Sequence, residues 1–320
     1  MYIAQCTNAR LDILRKEKKI QIKDTDYSEI LIILGTTLVM CYNRVPSFSD
    51  YWSNNASLGN EAIKNAISRN RCQLLLSKLY FANPDRGDSS SKTYYIDELI
   101  QCLKTTFQKA REDSPYQSID ESMTKFKGRS SLKQYLPLKL IKRGIKIWER
   151  CDSKTGYVYD LSVYSGKNME ERNGEKITLG ERVVLKLAES IRKSDVTLAF
   201  DRFFTSVQLI DNIQYAAVGT CISNRKNLPK FDGKLDRGQY QYKTNDSGTI
   251  AARWRDSKEV LLLSNCHTVN EVKVLGKKKD GKREEIPCPE AIAFYNKIMG
   301  GVDISDQKVG TYDFDRKSQK

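Results

Sequence analysis

The sequence predicts an α/β protein: a mixed sheet with helices, interrupted by a β-rich insertion and preceded by a helical region. Three observations predict it. Apolar residues recur at helical spacing through residue 112. From residue 116 the period shortens to that of strands alternating with helices. Residues 224–285 then break this alternation with a stretch rich in Gly, Lys and Asp that carries only short β-prone runs.

In chain order, Asp26 is a plausible N-cap for a helix that uses Ile30, Leu31, Ile33, Leu34, Leu38 and Val39 and ends before Val45-Pro46. The spacing of Ile63, Ile67, Leu74, Leu75, Leu79 and Phe81 predicts one helix over 61–81, and Ile96 to Phe107 predict another over 95–110. Short β-prone runs follow at Gln117–Met123, Gly144–Cys151 and Tyr157–Tyr164, the last two separated by the turn-rich DSKTG. An amphipathic helix, Leu179–Lys193, precedes the apolar strand Val196–Phe200. A helix over Phe204–Tyr215 and a strand over Ala216–Ile222 complete the series. Three strands, a helix, a strand, a helix and a strand are the order expected of an RNase H-like core. The runs at 239–243, 249–254 and 259–264 are expected to lie in an insertion rather than to continue the sheet, with KKKDGKREE as a hairpin tip or loop. A helix-like segment, AIAFYNKIMGGVDISDQ, returns after Pro289.

With 54 Lys and Arg against 40 Asp and Glu, the chain carries +14, a surplus suited to a polyanionic partner. Residues 121–150 hold half of it, with nine Lys or Arg against two Glu. Lys125, Lys127, Arg129, Lys133, Lys139, Lys142 and Arg143, interleaved with Phe126, Tyr135 and Trp148, form a candidate phosphate-neutralising segment. The alternative is a solvated lysine-rich loop.

Eight scattered cysteines without a CxxC pair and a single histidine, His267, give no zinc-ligand spacing. Most of the cysteines read as reduced core thiols, His267 as a surface or turn residue, and a Ser-His-Asp triad built elsewhere is excluded. The amino terminus is charged and amphipathic rather than signal-like. The longest apolar run, Ile30 to Tyr42, spans thirteen residues. A membrane span needs about 20, so no membrane partner is expected.

Three acidic residues sit where a mixed sheet would gather them: Asp120 inside the first strand, Asp201 at the end of VTLAFD, and Asp303 beside a Gly-Gly step, with Asp306 three residues on. Such carboxylates can hold two Mg²⁺ ions, which prefer oxygen ligands. Equally, three of forty acidic residues near strand ends serve as caps or turn formers, and spacings of 81 and 102 residues do not decide between these readings.

The surrounding blocks do. Ser118-Ile119-Asp120-Glu121, then Phe126-Lys127-Gly128-Arg129 and Tyr135-Leu136-Pro137-Leu138-Lys139, resemble the first block of piggyBac-family transposases. Phe200-Asp201-Arg202-Phe203-Phe204-Thr205-Ser206, followed by Ser223-Asn224-Arg225-Lys226 and Leu228-Pro229, is similar to the second. Tyr295-Asn296, Met299-Gly300-Gly301-Val302-Asp303 and Asp306-Gln307 match the third, and the likeness extends over roughly 27–307.

The resemblance implies that Asp120, Asp201 and Asp303 are catalytic ligands for Mg²⁺ (or Mn²⁺), with Asp306 as an accessory acid. It also implies a dimerisation and DNA-binding helical region (1–115), an RNase H-like core in two parts (116–224 and 288–320) and an insertion domain (225–287). The activity implied is cut-and-paste transposition: nicking, hairpin formation on transposon ends, and joining into TTAA targets. A homodimer or larger synaptic complex in the nucleus is expected to perform it. Two departures stand out. Arg202 replaces the family's usual Asn, placing a cation that either holds a phosphate or competes with a metal for Asp201. The chain also stops thirteen residues after Gln307, where the family continues with a long apolar helix and often a cysteine-rich zinc domain, so a truncated chain is expected. The alternative reading is a domesticated or degenerate derivative that binds DNA without cutting it.

Overall fold

The structure, a computed structural model, describes residues 2–83, 91–137, 139, 141–166, 171–172, 175–277 and 281–311. It divides into two units. One comprises 1–103, 125–133 and 308–320; the other comprises 104–124 and 134–307.

The first unit is helical: α1 (Tyr2–Lys18), α2 (Tyr27–Tyr42), α3 (Glu61–Ala66), α4 (Arg69–Lys78) and the first part of α5 (Tyr94–Ala110). Asp26 caps α2 as expected, accepting a 2.8 Å bond from the Glu29 N–H. Leu11, Ile33, Ile67, Cys72 and Leu75 form its main core. Arg71 ties α4 to α2 by a fork onto Glu29, at 2.8 and 2.7 Å, which holds that carboxyl below its ordinary range. The single helix expected over 61–81 is two. Ile67 and Ser68 are extended, and the Trp52 indole N–H takes the Ile67 carbonyl at 2.7 Å, removing it from the helical ladder.

The second unit is the α/β part. Its strands are β1 (Tyr116–Lys125), β2 (Lys133–Tyr135), β3 (Arg143–Asp152), β4 (Val158–Val163), β5 (Glu171–Arg172), β6 (Glu175–Lys176), β7 (Thr197–Phe200), β8 (Ala216–Thr220), β9 (Tyr240–Thr244), β10 (Ile250–Arg255), β11 (Glu259–Ser264), β12 (Glu271–Lys277) and β13 (Arg283–Pro289). Its helices are α6 (Leu179–Ala188), α7 (Val207–Asn212), α8 (Glu290–Ile298) and α9 (Gly301–Thr311); β1, β2, α5 and α9 have end residues assigned to the first unit. The large sheet runs β2-β3-β1-β7-β8-β11-β10-β9, with β4 antiparallel on β3; β1, β7 and β8 are parallel. The five strands β4-β3-β1-β7-β8 carry the RNase H-like order.

Alternation along β7 explains the layers. Leu198 and Phe200 face a core with Val184, Leu187, Phe204 and Ile210 from the α6–α7 side. Ala199 faces a second core with Trp254, Leu262, Ile286, Ile292 and Ile298. Helices α6 and α7 are shorter than expected. Ser206 caps α7 by accepting from the Leu209 N–H at 3.0 Å, which leaves residues 201–205 as a turn.

One expectation fails. The runs within 239–264 do not stand apart from the sheet: β11 pairs antiparallel with β8, and β10 and β9 extend it outward. Their apolar faces (Ile250, Trp254, Leu262) need the cover that α8 and the β12–β13 hairpin supply. That hairpin forms a two-stranded sheet of its own, as β5 and β6 do, and residues 278–280 within its predicted tip lie outside the described residues. Among the described residues, no helix is long and apolar enough to cross a membrane.

Candidate active site

Strands β1 and β7 set the first two carboxylates. Their parallel register pairs Ile119 with Phe200, so Asp120 and Asp201 each follow a paired residue on strands about 4.8 Å apart. Asp201 sits where β7 ends. Its carboxylate accepts the Phe203 N–H at 2.8 Å, and its carbonyl accepts the Phe204 N–H and the Thr205 hydroxyl at 3.1 and 2.8 Å. The turn after β7 is thereby built on Asp201 itself. Asp120 accepts the Glu121 N–H at 2.8 Å. Burial pushes both carboxyls up, Asp120 to about 8; Lys139 opposes the rise at each, Glu121 repels both, and Asp201 adds repulsion at Asp120.

Asp303 lies in the first turn of α9 and is exposed. The helix reaches the sheet through Gly301, where an added Cβ would lie 2.5 Å from Ser118 Oγ and 2.7 Å from the Asp152 carbonyl oxygen. Tyr295 on α8 is buried and feels all three carboxylates. Burial first, then the negative charges of Asp201, Asp120 and Asp303, raise its hydroxyl to about 12. Asp306 turns to a different partner, accepting a 2.6 Å bond from Ser122. There it neighbours Glu149, a carboxyl that burial and then the Asp306 charge lift to about 7.

The basic segment divides. Lys125, Lys127 and Arg129 are exposed and Lys133 is half-buried, all within the first unit. In the second unit Lys142 and Arg143 are exposed, and Arg143 lies over the Tyr135 ring at 5.3 Å. Lys139 instead donates to the Glu121 carbonyl at 2.8 Å and stands 3.9 Å from Asp120 Oδ2, so its charge belongs to the carboxylate cluster. Trp148 is buried and not a stacking platform for a strand. The Lys146 ammonium lies 3.8 Å from the centroid of its ring, and burial lowers that amine. Arg150 is wholly buried, bonded to the Leu187 carbonyl (2.9 Å), Ser190 (2.8 Å), Asp113 (3.1 Å) and Gln117. Of the nine cations in 121–150, Arg150 is therefore internal, while Lys139 and Lys146 are half-buried. Arg202 is exposed beside Asp201.

Tyr295, Lys146 and Glu149 had no assigned role in the sequence reading. Lys146 shares a β3 face with Trp148 by simple alternation, a signal that was available. Tyr295 belonged to the third matching block but without a role, and Glu149 carried no signal, because the significance of both depends on burial. His267 bonds Ser264 through Nδ1 at 2.8 Å.

Asp120 and Asp201 thus stand on neighbouring parallel strands of the sheet, and Asp303 lies in the first turn of α9. The chain belongs to the transposase family whose model, described as Transposase IS4, matches residues 2–320, and within it to the piggyBac type. It is 27% identical over 299 residues to human PiggyBac transposable element-derived protein 3, covering 89% of this chain and 50% of that protein. It is 26% identical over 298 residues to human PiggyBac transposable element-derived protein 2, with the same shares. The chain thus spans about half the length of these curated relatives. The fold is that of the piggyBac transposase solved as a synaptic complex with hairpin DNA (TM-score 0.81, 24% identity, 99% of this chain and 67% of that one).

Proposed function

We propose that this chain carries the catalytic carboxylates of a piggyBac-type DNA transposase, acting in the nucleus on transposon ends and TTAA targets within a dimeric or larger complex. The observation that supports it best is that Asp120 and Asp201 each directly follow the Ile119–Phe200 pair on adjacent parallel strands.

A Mg²⁺ ion fits this donor set. It is held by one or two carboxylates while its other positions go to water and phosphate, and Asp120 and Asp201 are half-buried carboxylates with repulsion left to neutralise. When bound, Mg²⁺ supplies activation of a water or 3′-hydroxyl and stabilisation of the leaving oxygen. The chain's own residues do the rest. Asp201 fixes its carboxylate by building the turn behind it. Lys139 keeps Asp120 nearer its ionised form, and Lys139 and Lys146 place positive charge where a phosphate would enter.

A second reading has its own support: among the described residues, no three His, Cys, Asp or Glu groups converge closely enough to hold a metal ion. A DNA-binding derivative without nuclease activity would need no such convergence. A Mg²⁺-dependent nicking assay on oligonucleotides bearing the element's own terminal repeats separates the two. Cleavage that disappears in Asp120→Asn, with DNA binding retained, is the expected result. Equal cutting by both proteins removes Asp120 from the site, and no cutting by the unmodified protein favours the binding-only derivative.

A further inference from the structure

Helix α9 carries Asp303 but brings little apolar surface to the sheet. Among its described residues Val302 is the one apolar side chain that is fully buried, and Ile304 is half-buried. Gly300, with open space around it, joins α9 to α8, which is anchored in its own core by Ala291, Ile292 and Ile298. Close backbone approach and a polar cluster do the rest of the holding. The approach is made at Gly301, against Ser118 and Asp152, and at Gly156, where an added Cβ would stand 2.7 Å from the Ser305 nitrogen. The cluster comprises Ser305 and Asp306 from α9, Ser122 from β1, and Glu149 and Cys151 from β3.

Two carboxyls meet in that cluster. Ser122 donates to Asp306 Oδ1 at 2.6 Å and is within hydrogen-bond reach of Glu149 as well. A hydroxyl has one proton, so Ser122 cannot donate to both carboxyls at once. The groups that face Glu149 are Asp306 and Ser305 on α9, Ser122 on β1 and Cys151 on its own strand, and none of them is a cation. Asp306 in turn is lowered by Lys139 and raised by Asp303 and Glu121.

A protonated Glu149 donates to Ser122, and Ser122 then donates to Asp306, so one chain of bonds runs from β3 through β1 to α9. An ionised Glu149 sets two negative charges against the single Ser122 proton. Strands β1 and β3 are each paired on both sides within the sheet and cannot retreat. The repulsion is relieved by moving the helix, whose apolar hold is little more than Val302.

We propose that Glu149 is a positioning residue: its protonated carboxyl, acting through Ser122 and Asp306, docks α9 and with it Asp303 against the sheet, and its ionisation loosens that helix. What the docking serves rests on the DNA-processing reading above; the docking itself does not. The docked carboxyl keeps its proton up to about pH 7 and a released one only to its ordinary 4.5. Docking is therefore firmest below about pH 4.5, weakens as the pH rises between those values, and is weakest above about pH 7.

Hydrogen–deuterium exchange of the full 320-residue chain at pH 5, 6, 7 and 8, without DNA or metal, tests this. After correction for intrinsic exchange, the amides of residues 304–307 are expected to be less protected than those of β7. Their protection is expected to fall roughly 10- to 70-fold between pH 5 and pH 8, the upper figure following from values of 4.5 and about 7. Glu149→Gln, whose amide can donate to Ser122 at every pH, is expected to lose most of that fall. Asp306→Asn removes the second charge and is expected to lessen the fall, and it stands in should Glu149→Gln not fold. Three results overturn the positioning role and leave the DNA-processing reading standing: protection at 304–307 that does not change with pH, protection that tracks β7 at every pH, or a fall that the variant shares in full. Absence of Mg²⁺-dependent nicking removes the DNA-processing reading instead, while the exchange still decides the docking.

Discussion

Replacing Glu149 by Gln should make the protein more stable at neutral and alkaline pH and leave it nearly unchanged in acid. Glu149 sits on β3, nine-tenths covered, with Cys151 Sγ 3.8 Å from its carboxyl and the Ser122–Asp306 pair beside it. Burial first and the Asp306 charge second raise it from 4.5 to about 7. Because the folded pKa is the higher one, the folded state binds the extra proton between those values, and stability falls as pH rises through that window. Below about pH 4.5 both states are protonated and the group contributes nothing. Above about pH 7 both are ionised, and the shift corresponds to a cost on the order of 3 kcal/mol. Glutamine keeps the shape and carries no charge, so Glu149→Gln should recover most of that amount at pH 8 and little at pH 4.5. Urea unfolding of both proteins at half-unit steps from pH 4.5 to 8 measures the difference directly, since other titrating groups cancel. A difference that is constant with pH would show that folding leaves the Glu149 carboxyl unshifted and that its burial beside Asp306 has been misjudged.

Three further outcomes follow from the same geometry. Gly301→Ala drives a Cβ against Ser118 and the Asp152 backbone and should cost about 1–3 kcal/mol, while Gly300→Ala, with open space around it, should be neutral or stabilising. Thermal melts that rank the two alike would refute the close packing of α9 on the sheet. Asp113→Ala leaves the buried Arg150 guanidinium short of its ion partner and should destabilise by about 3–5 kcal/mol in urea titrations; a loss under 1 kcal/mol would mean that Arg150 is solvated. Lys139→Ala removes the cation 3.9 Å from Asp120, so the Asp120 carboxyl should titrate still higher than about 8 by carboxyl-carbon NMR, and an unmoved midpoint would place Lys139 elsewhere.

Much of the local structure was legible. The Asp26 cap, the strand ending at Asp201 and the strand holding Asp120 are written in neighbouring residues, because caps and alternation act over a few positions. The break between α3 and α4 was not, since its cause is an indole fifteen residues away in sequence. Nor was the attachment of β11 to β8, because a strand's partner is chosen by which apolar face the rest of the fold can cover.

The same division applies to the site. The sequence by itself determined the family, the three aspartates as candidates and the basic surplus around the first of them. Tertiary structure decided how those charges are used. It set Asp120 beside Asp201 by strand register, drew Lys139 from the basic segment into the carboxylate cluster, buried Arg150, and turned Asp306 toward Ser122 and Glu149. The physical reason is that a charge acquires its role from burial and from neighbours within a few ångströms, and both are fixed only when distant strands pair.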